Sequence, residues 1–61
     1  MKTVLIIDDH SAIREGFKVV LERSGRYSVI GGAGSAEAAM EFLARESVRP
    51  DLFIVDITLP G

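Results

Sequence analysis

Four aliphatic residues without alternation, Val4-Leu5-Ile6-Ile7, run straight into two adjacent aspartates, Asp8 and Asp9, and a second such run, Leu52 to Val55, leads into Asp56. This repeated arrangement constrains the fold more than anything else in the chain. An unalternating apolar run of that length is the pattern of a strand covered on both faces, as in a parallel sheet. Between the two runs, Ile13, Phe17, Val20 and Leu21 recur at i, i+4, i+7 and i+8 and so line one face of a helix. Ser11 is the predicted N-cap of that helix, and Gly25 stands where a left-handed residue would stop it. Tyr27 to Ile30 reads as a short second strand leading into a loop that holds Gly31, Gly32 and Gly34. Ser35 then opens a second helix, with Glu37 near the positive end of its dipole and Ala36, Ala39, Met40, Leu43 and Ala44 as its apolar stripe. Pro50 ends any continuation before the last strand.

The order strand, helix, strand, helix, strand predicts an α/β fold whose parallel sheet is reached by right-handed crossovers. Ligands of such sheets bind outside the carboxyl ends of the strands, where the strand order changes direction. If the order is 2-1-3, then Asp8, Asp9 and Asp56 converge at that point.

Size and composition narrow the rest. A chain of 61 residues is one small domain or a piece of a larger one. At this length only about 60% of the unfolded surface is buried on folding, so the core is marginal. Cysteine is absent, which rules out disulfide support and fits a reducing compartment. The seven basic residues are dispersed and the net charge is -2, so this segment carries no footprint for nucleic acid. The Val4 to Ile7 run is too short for a membrane span or a signal-peptide core, and the expected location is the cytoplasm.

An acidic pair at a helix start is ordinarily decoration, favoured by the helix dipole. A third aspartate after a matching strand changes that reading. Three carboxylates at one sheet edge repel unless a cation offsets them, and a hard divalent ion with oxygen ligands, magnesium above all, is the usual solution. A carboxylate beside such an ion can also attack phosphorus. Asp56, held by the more central-looking strand, is the best candidate nucleophile.

"VLIIDDHSAIREGF" together with "DLFIVDITLPG" resembles the receiver domain of bacterial two-component response regulators, over the whole chain and with the family's spacing between the motifs. The acidic pair followed by histidine and "IREGF" looks most like the subfamily whose receiver precedes a helix-turn-helix DNA-binding domain. The resemblance implies the N-terminal half of a flavodoxin-like doubly wound fold with strand order 2-1-3. It implies that Asp56 accepts a phosphoryl group from a sensor histidine kinase. It further implies that Asp9 and Asp56 bind Mg2+ directly, Asp8 acts through a bound water, and the backbone carbonyl of Thr58 completes the protein ligands. Thr58 would also affect how fast the phosphoryl group is lost, and Pro60 and Gly61 match the family's turn. DNA enters only through an output domain absent from residues 1–61.

A whole receiver has further strands, one ending in a phosphoryl-sensing serine or threonine and one in a lysine; Lys2 and Lys18 are not placed to replace that lysine. The expectation is therefore a truncated receiver over 1–61, a phospho-acceptor rather than an enzyme, and poorly active by itself. An apolar last strand at a sheet edge is expected to drive self-association. Two alternatives stand beside this reading. A self-associating half-domain would do no chemistry. A haloacid dehalogenase-type phosphatase also passes through an aspartyl phosphate, but that motif needs an aspartate where Thr58 stands and leaves Asp8 and Asp9 unexplained.

Other residues take plainer readings. His10 is the sole histidine and reads as a helix-start residue, since magnesium prefers oxygen. "GGAGS" lacks phosphate-loop spacing. Phe17, Phe42 and Phe53 read as core, and Arg14, Glu15, Lys18, Glu22 and Arg23 as a solvated helix face.

Overall fold

Residues 1–56 are described by a computed structural model. Five elements follow in order: β1 (Lys2–Ile7), α1 (Ser11–Arg23), β2 (Tyr27–Ala33), α2 (Ala36–Glu46) and β3 (Leu52–Val55). The sheet order is β2-β1-β3 and both pairings of β1 are parallel, as the sequence leads one to expect. β1 lies at the centre, and its apolar run Val4 to Ile7 is covered on both faces. Val4, Leu5 and Ile6 are at most 1% exposed and Ile7 only 7%. Burying each such side chain stabilises the fold by about 1.5–3 kcal/mol.

The two helices lie on opposite faces of the sheet, and two adjacent glycines show it. A Cβ at Gly31 would stand 2.7 Å from Cζ of Phe42 in α2, whereas one at Gly32 would stand 3.1 Å from Cδ of Arg14 in α1. Successive residues of a strand point to opposite faces. Leu5, Ile7, Ala33 and Ala39 form the buried cluster on the α2 side, with Phe42 and Leu43 packed against it. A bulge between Val4 and Leu5 in the β1–β2 register shifts the partner of Leu5 to Gly31, so Ile30 is the extra residue. Phe42 therefore lies end-on over a position that has no side chain. Gly31→Ala is expected to lower stability by about 1–3 kcal/mol through this overpacking. Gly32→Ala, which meets the flexible stem of Arg14 and, at an ordinary contact distance of 3.6 Å, the Ile6 carbonyl, is expected to cost clearly less. Urea unfolding of the two variants side by side reads the difference.

Several local expectations are corrected. His10, not Ser11, is the N-cap of α1; it is extended at φ -104 and ψ 108 and makes no side-chain cap bond. β2 runs on through Gly31 and Gly32 to Ala33 instead of ending in a loop at Ile30. In α2, Ala39 is buried and Phe42 and Leu43 half-buried, while Met40 is 67% exposed and Ala36 and Ala44 are exposed. The packed stripe is thus rotated from the one drawn on small residues. The proposed core face of α1 is open: Ile13, Phe17 and Val20 are exposed, and the half-buried residues of α1 are Arg14, which lies over Gly32, and Leu21. β3 has the apolar pattern of a covered strand, yet Leu52, Phe53 and Val55 are exposed. The physical reason is common to both. Among the described residues, no element lies over the β3 side of the sheet.

Other expectations hold. Ser35 caps α2, its hydroxyl accepting from the Ala38 N–H at 3.1 Å. Gly25 is left-handed at φ +76 just past α1. α2 stops at Ser47, which takes the left-handed conformation (φ 54) without being glycine.

Where β3 begins, Asp51 ties it to β1. Its carboxylate accepts from the Thr3 N–H at 2.7 Å and from the Thr3 hydroxyl at 3.1 Å, and its own N–H donates to the Thr3 carbonyl at 2.9 Å. The Thr3 backbone N–H, and then the Thr3 hydroxyl, hold the Asp51 carboxyl below its ordinary value of 3.8. A carboxylate depressed in the folded state stabilises above its unfolded pKa, and that contribution is lost as pH falls through the folded value. Melting curves between about pH 5 and about pH 2 are therefore expected to lose less stability in Asp51→Asn than in the parent chain.

Candidate functional site

Parallel pairing of Ile7 with Val55 forces the next residue of each strand to emerge side by side. The ladder continues one step past β1: the Asp8 N–H donates to the Ala33 carbonyl and the Asp56 N–H to the Ile7 carbonyl, both at 2.9 Å. Asp8 and Asp56 thus sit at the carboxyl ends of the two neighbouring strands, at the place where the chain has gone to β2 on one side and β3 on the other. Asp9 follows on the way to α1.

Asp8 is buried, at 5% exposure, and its environment is built by its own neighbours. Its Oδ1 accepts from the His10 backbone N–H at 2.8 Å and lies 3.0 Å from His10 Nδ1. The Asp9 Oδ1 lies 2.8 Å from the same nitrogen. The hydrogen bond to Asp8, reinforced by the charge of Asp9, raises the His10 imidazole above its ordinary pKa of 6.5. From the other side, Arg14 Nη1 donates to the Asp8 carbonyl. Asp56 is half-buried.

Asp8, Asp9, His10 and Asp56 each present a ligand atom, and these atoms all lie within 4.8 Å of one another. The donor set is three carboxylates and one imidazole. Its oxygen content and negative charge fit a hard divalent cation, which would relieve the repulsion that three carboxylates otherwise impose. Asp8, His10 and Asp56 line an open cleft of about 530 Å³, whose apolar wall includes Ile13 and Phe17 of α1 and Ile54 and Val55 of β3.

The structure thus brings Asp8, Asp9 and Asp56 together. Thr58, Pro60 and Gly61 lie outside the described residues. Two further residues belong to the site although the sequence reading put them elsewhere. His10, taken as a helix-start residue, is the N-cap and also turns its ring onto both carboxylates. Arg14, assigned to a solvated face, instead folds back over Gly32 and onto the Asp8 backbone. The glycine pair in β2 is the signal for it, since a side chain at Gly32 would crowd the arginine stem.

Residues 4–61 match the model of the response regulator receiver domain family. The chain is 35% identical over 60 residues to the transcriptional regulatory protein YdfI of Bacillus subtilis, covering 98% of this chain and 27% of that protein. It is 37% identical over 59 residues to the nitrate/nitrite response regulator protein NarL of Escherichia coli K12, covering 97% and 26%. A third relative is protein-glutamate methylesterase/protein-glutamine glutaminase 2 of Paramagnetospirillum magneticum, 38% identical over 58 residues and covering 95% and 16%. The chain therefore spans about a quarter of the length of the first two relatives.

Proposed function

The chain belongs to the response regulator receiver family of two-component systems, and on that premise we propose that Asp56 is its phospho-acceptor. One observation carries this reading: three carboxylates from two strand ends and a helix start meet within ligand distance of one another. The donor is the phosphohistidine of a sensor histidine kinase. A carboxylate oxygen of Asp56 forms the new P–O bond, the P–N bond breaks, and the imidazole leaves, so the protein is a stoichiometric acceptor rather than an enzyme with turnover.

Asp9 and Asp56 would hold Mg2+ directly, joined by the Thr58 carbonyl. Asp8, buried and already accepting from His10, would act through a water. Bound there, the ion neutralises charge on the phosphoryl oxygens. The chain's own residues do the positioning: β3 fixes Asp56, and the ladder bond from Asp8 to Ala33 fixes the neighbouring strand end. The relatives named as transcriptional regulators support a DNA-binding output outside residues 1–61. No helix among the described residues is long and apolar enough to cross a membrane, which is compatible with the proposed cytoplasmic setting. Family membership also takes the place of the dehalogenase alternative, and the acidic pair that alternative left unexplained stands beside Asp56.

The test is mass spectrometry after incubation with acetyl phosphate and Mg2+. One phosphoryl adduct, released by hydroxylamine, is expected, at low stoichiometry in the 61-residue chain because no lysine lines the site among the described residues. No adduct at all in folded protein overturns the reading.

A second reading concerns assembly, and the β3 edge favours it. Leu52, Phe53 and Val55 are 41–51% exposed on a strand that, among the described residues, is paired on one side only. The 61-residue chain is expected to self-associate at micromolar concentration, with Phe53→Lys weakening the association. A single monomeric species in sedimentation velocity would remove this reading.

A further inference from the structure

Arg14 reaches the acidic site along a path that glycine leaves open. A Cβ at Gly32 would stand 3.1 Å from Cδ and 3.3 Å from Nε of Arg14, and one at Gly34 would stand 3.9 Å from Nη1. The side chain therefore runs from beside Gly32 to beside Gly34, past the carboxyl end of β2, and Nη1 donates to the Asp8 carbonyl. The Arg14 backbone is tied to the same link, its N–H donating to the His10 carbonyl at 3.1 Å. One residue thus holds the link between β1 and α1 at both ends, at Asp8 and at His10, with Asp9 between them. Asp8 is fixed on its other side as well, since its N–H donates to the Ala33 carbonyl at 2.9 Å. Its carboxylate in turn accepts from the His10 N–H at 2.8 Å, a bond that lasts only while the link keeps this shape. Arg14 is half-buried, whereas Glu15 and Lys18 of the same helix are exposed.

We infer that Arg14 is a positioning residue for the proposed Mg2+ and phospho-acceptor site: its guanidinium clamps the link and so aims the Asp8 and Asp9 carboxylates. This rests on the reading of those carboxylates as a Mg2+ site. Arg14 acts through the backbone, because a guanidinium has donors and no lone pair to offer a metal. The clamp uses its geometry rather than its charge alone. A lysine at this position would keep the charge and an apolar stem, but its ammonium ends one bond short of Nη1 and lacks the planar fork. A methionine would keep an unbranched stem over Gly32 and lose the donor.

The experiment compares the parent protein with Arg14→Met and Arg14→Lys by two measurements: Mg2+ affinity by calorimetry, and amide hydrogen exchange by NMR with no metal present. Both variants are expected to weaken Mg2+ by about tenfold, the effect of removing a group that orients a metal ligand. Without metal, exchange of the His10 N–H is expected to quicken by about fivefold, the factor that one ordinary hydrogen bond is worth. The Asp51 N–H, bonded to the Thr3 carbonyl at the far end of the sheet, should keep its parent rate. An arginine that merely stabilised the fold would not produce that contrast. Equal acceleration at His10 and Asp51 therefore overturns the inference. Parent-like Mg2+ affinity in Arg14→Met overturns it too, as does parent-like affinity in Arg14→Lys alone, which leaves charge as the cause; in these cases the Mg2+ site itself stands. A parent protein that binds no Mg2+ overturns the site and the inference with it.

Discussion

Asp56→Asn is expected to bring phosphoryl uptake from acetyl phosphate down to the detection limit, with the fold unchanged by circular dichroism. The substitution keeps the size of the side chain and leaves the backbone bond from residue 56 to the Ile7 carbonyl in place. What it removes is the nucleophile, because an amide oxygen is far less able to displace a leaving group from phosphorus than a carboxylate oxygen. Asp9→Asn removes the same charge at a different place and should fail differently. Its side chain, 43% exposed, is placed to hold the ion rather than to attack, so uptake should return at about tenfold or more higher Mg2+. Excess Mg2+ thus rescues Asp9→Asn and not Asp56→Asn, and chelation of the metal silences the parent. An adduct that persists in Asp56→Asn and maps to Asp8 or Asp9 would move the nucleophile to β1 and end the assignment.

That contrast between the aspartates was half legible in the sequence. Strand ends can be read from where an apolar run stops, so Asp8 and Asp56 were placed correctly by Val4 to Ile7 and Leu52 to Val55. Convergence required the strand order, which periodicity does not encode; it followed only on the condition that β1 lies between its partners. The roles of His10 and Arg14 were hidden for a different reason. Both depend on where a side chain turns after the backbone is fixed, and a charged residue on a helix reads as solvated until the facing strand is seen to carry glycine. The misplaced core has its own cause. Amphipathic spacing marks which residues would share a covered face, as with Ile13, Phe17 and Val20, but it does not say whether anything covers that face. A run such as Leu52 to Val55 is equally silent on whether it is central or at an edge. The β1 run was read correctly because both of its neighbours are inside the described chain.

The consequence for stability is the second large effect, and it separates sequence pattern from burial. Leu5 is fully buried in the central strand and belongs to the cluster with Ile7, Ala33 and Ala39. Truncating such a side chain costs about 2–5 kcal/mol, from lost transfer free energy and the cavity left behind. A chain of 61 residues has, at about 0.05–0.15 kcal/mol per residue, a total of only about 3–9 kcal/mol. Leu5→Ala is therefore expected to remove about half or more of the stability of the 61-residue chain, with a correspondingly lower midpoint in urea. Phe17→Ala removes a larger side chain from a position that pattern alone marks as core. Yet Phe17 is 43% exposed at the open cleft, so part of its surface is already in water and its loss leaves no closed cavity. Its cost should fall well below that of Leu5→Ala. The reverse ranking would mean that the α1 face is covered when the chain folds in solution, and self-association through that face would then be the first thing to measure.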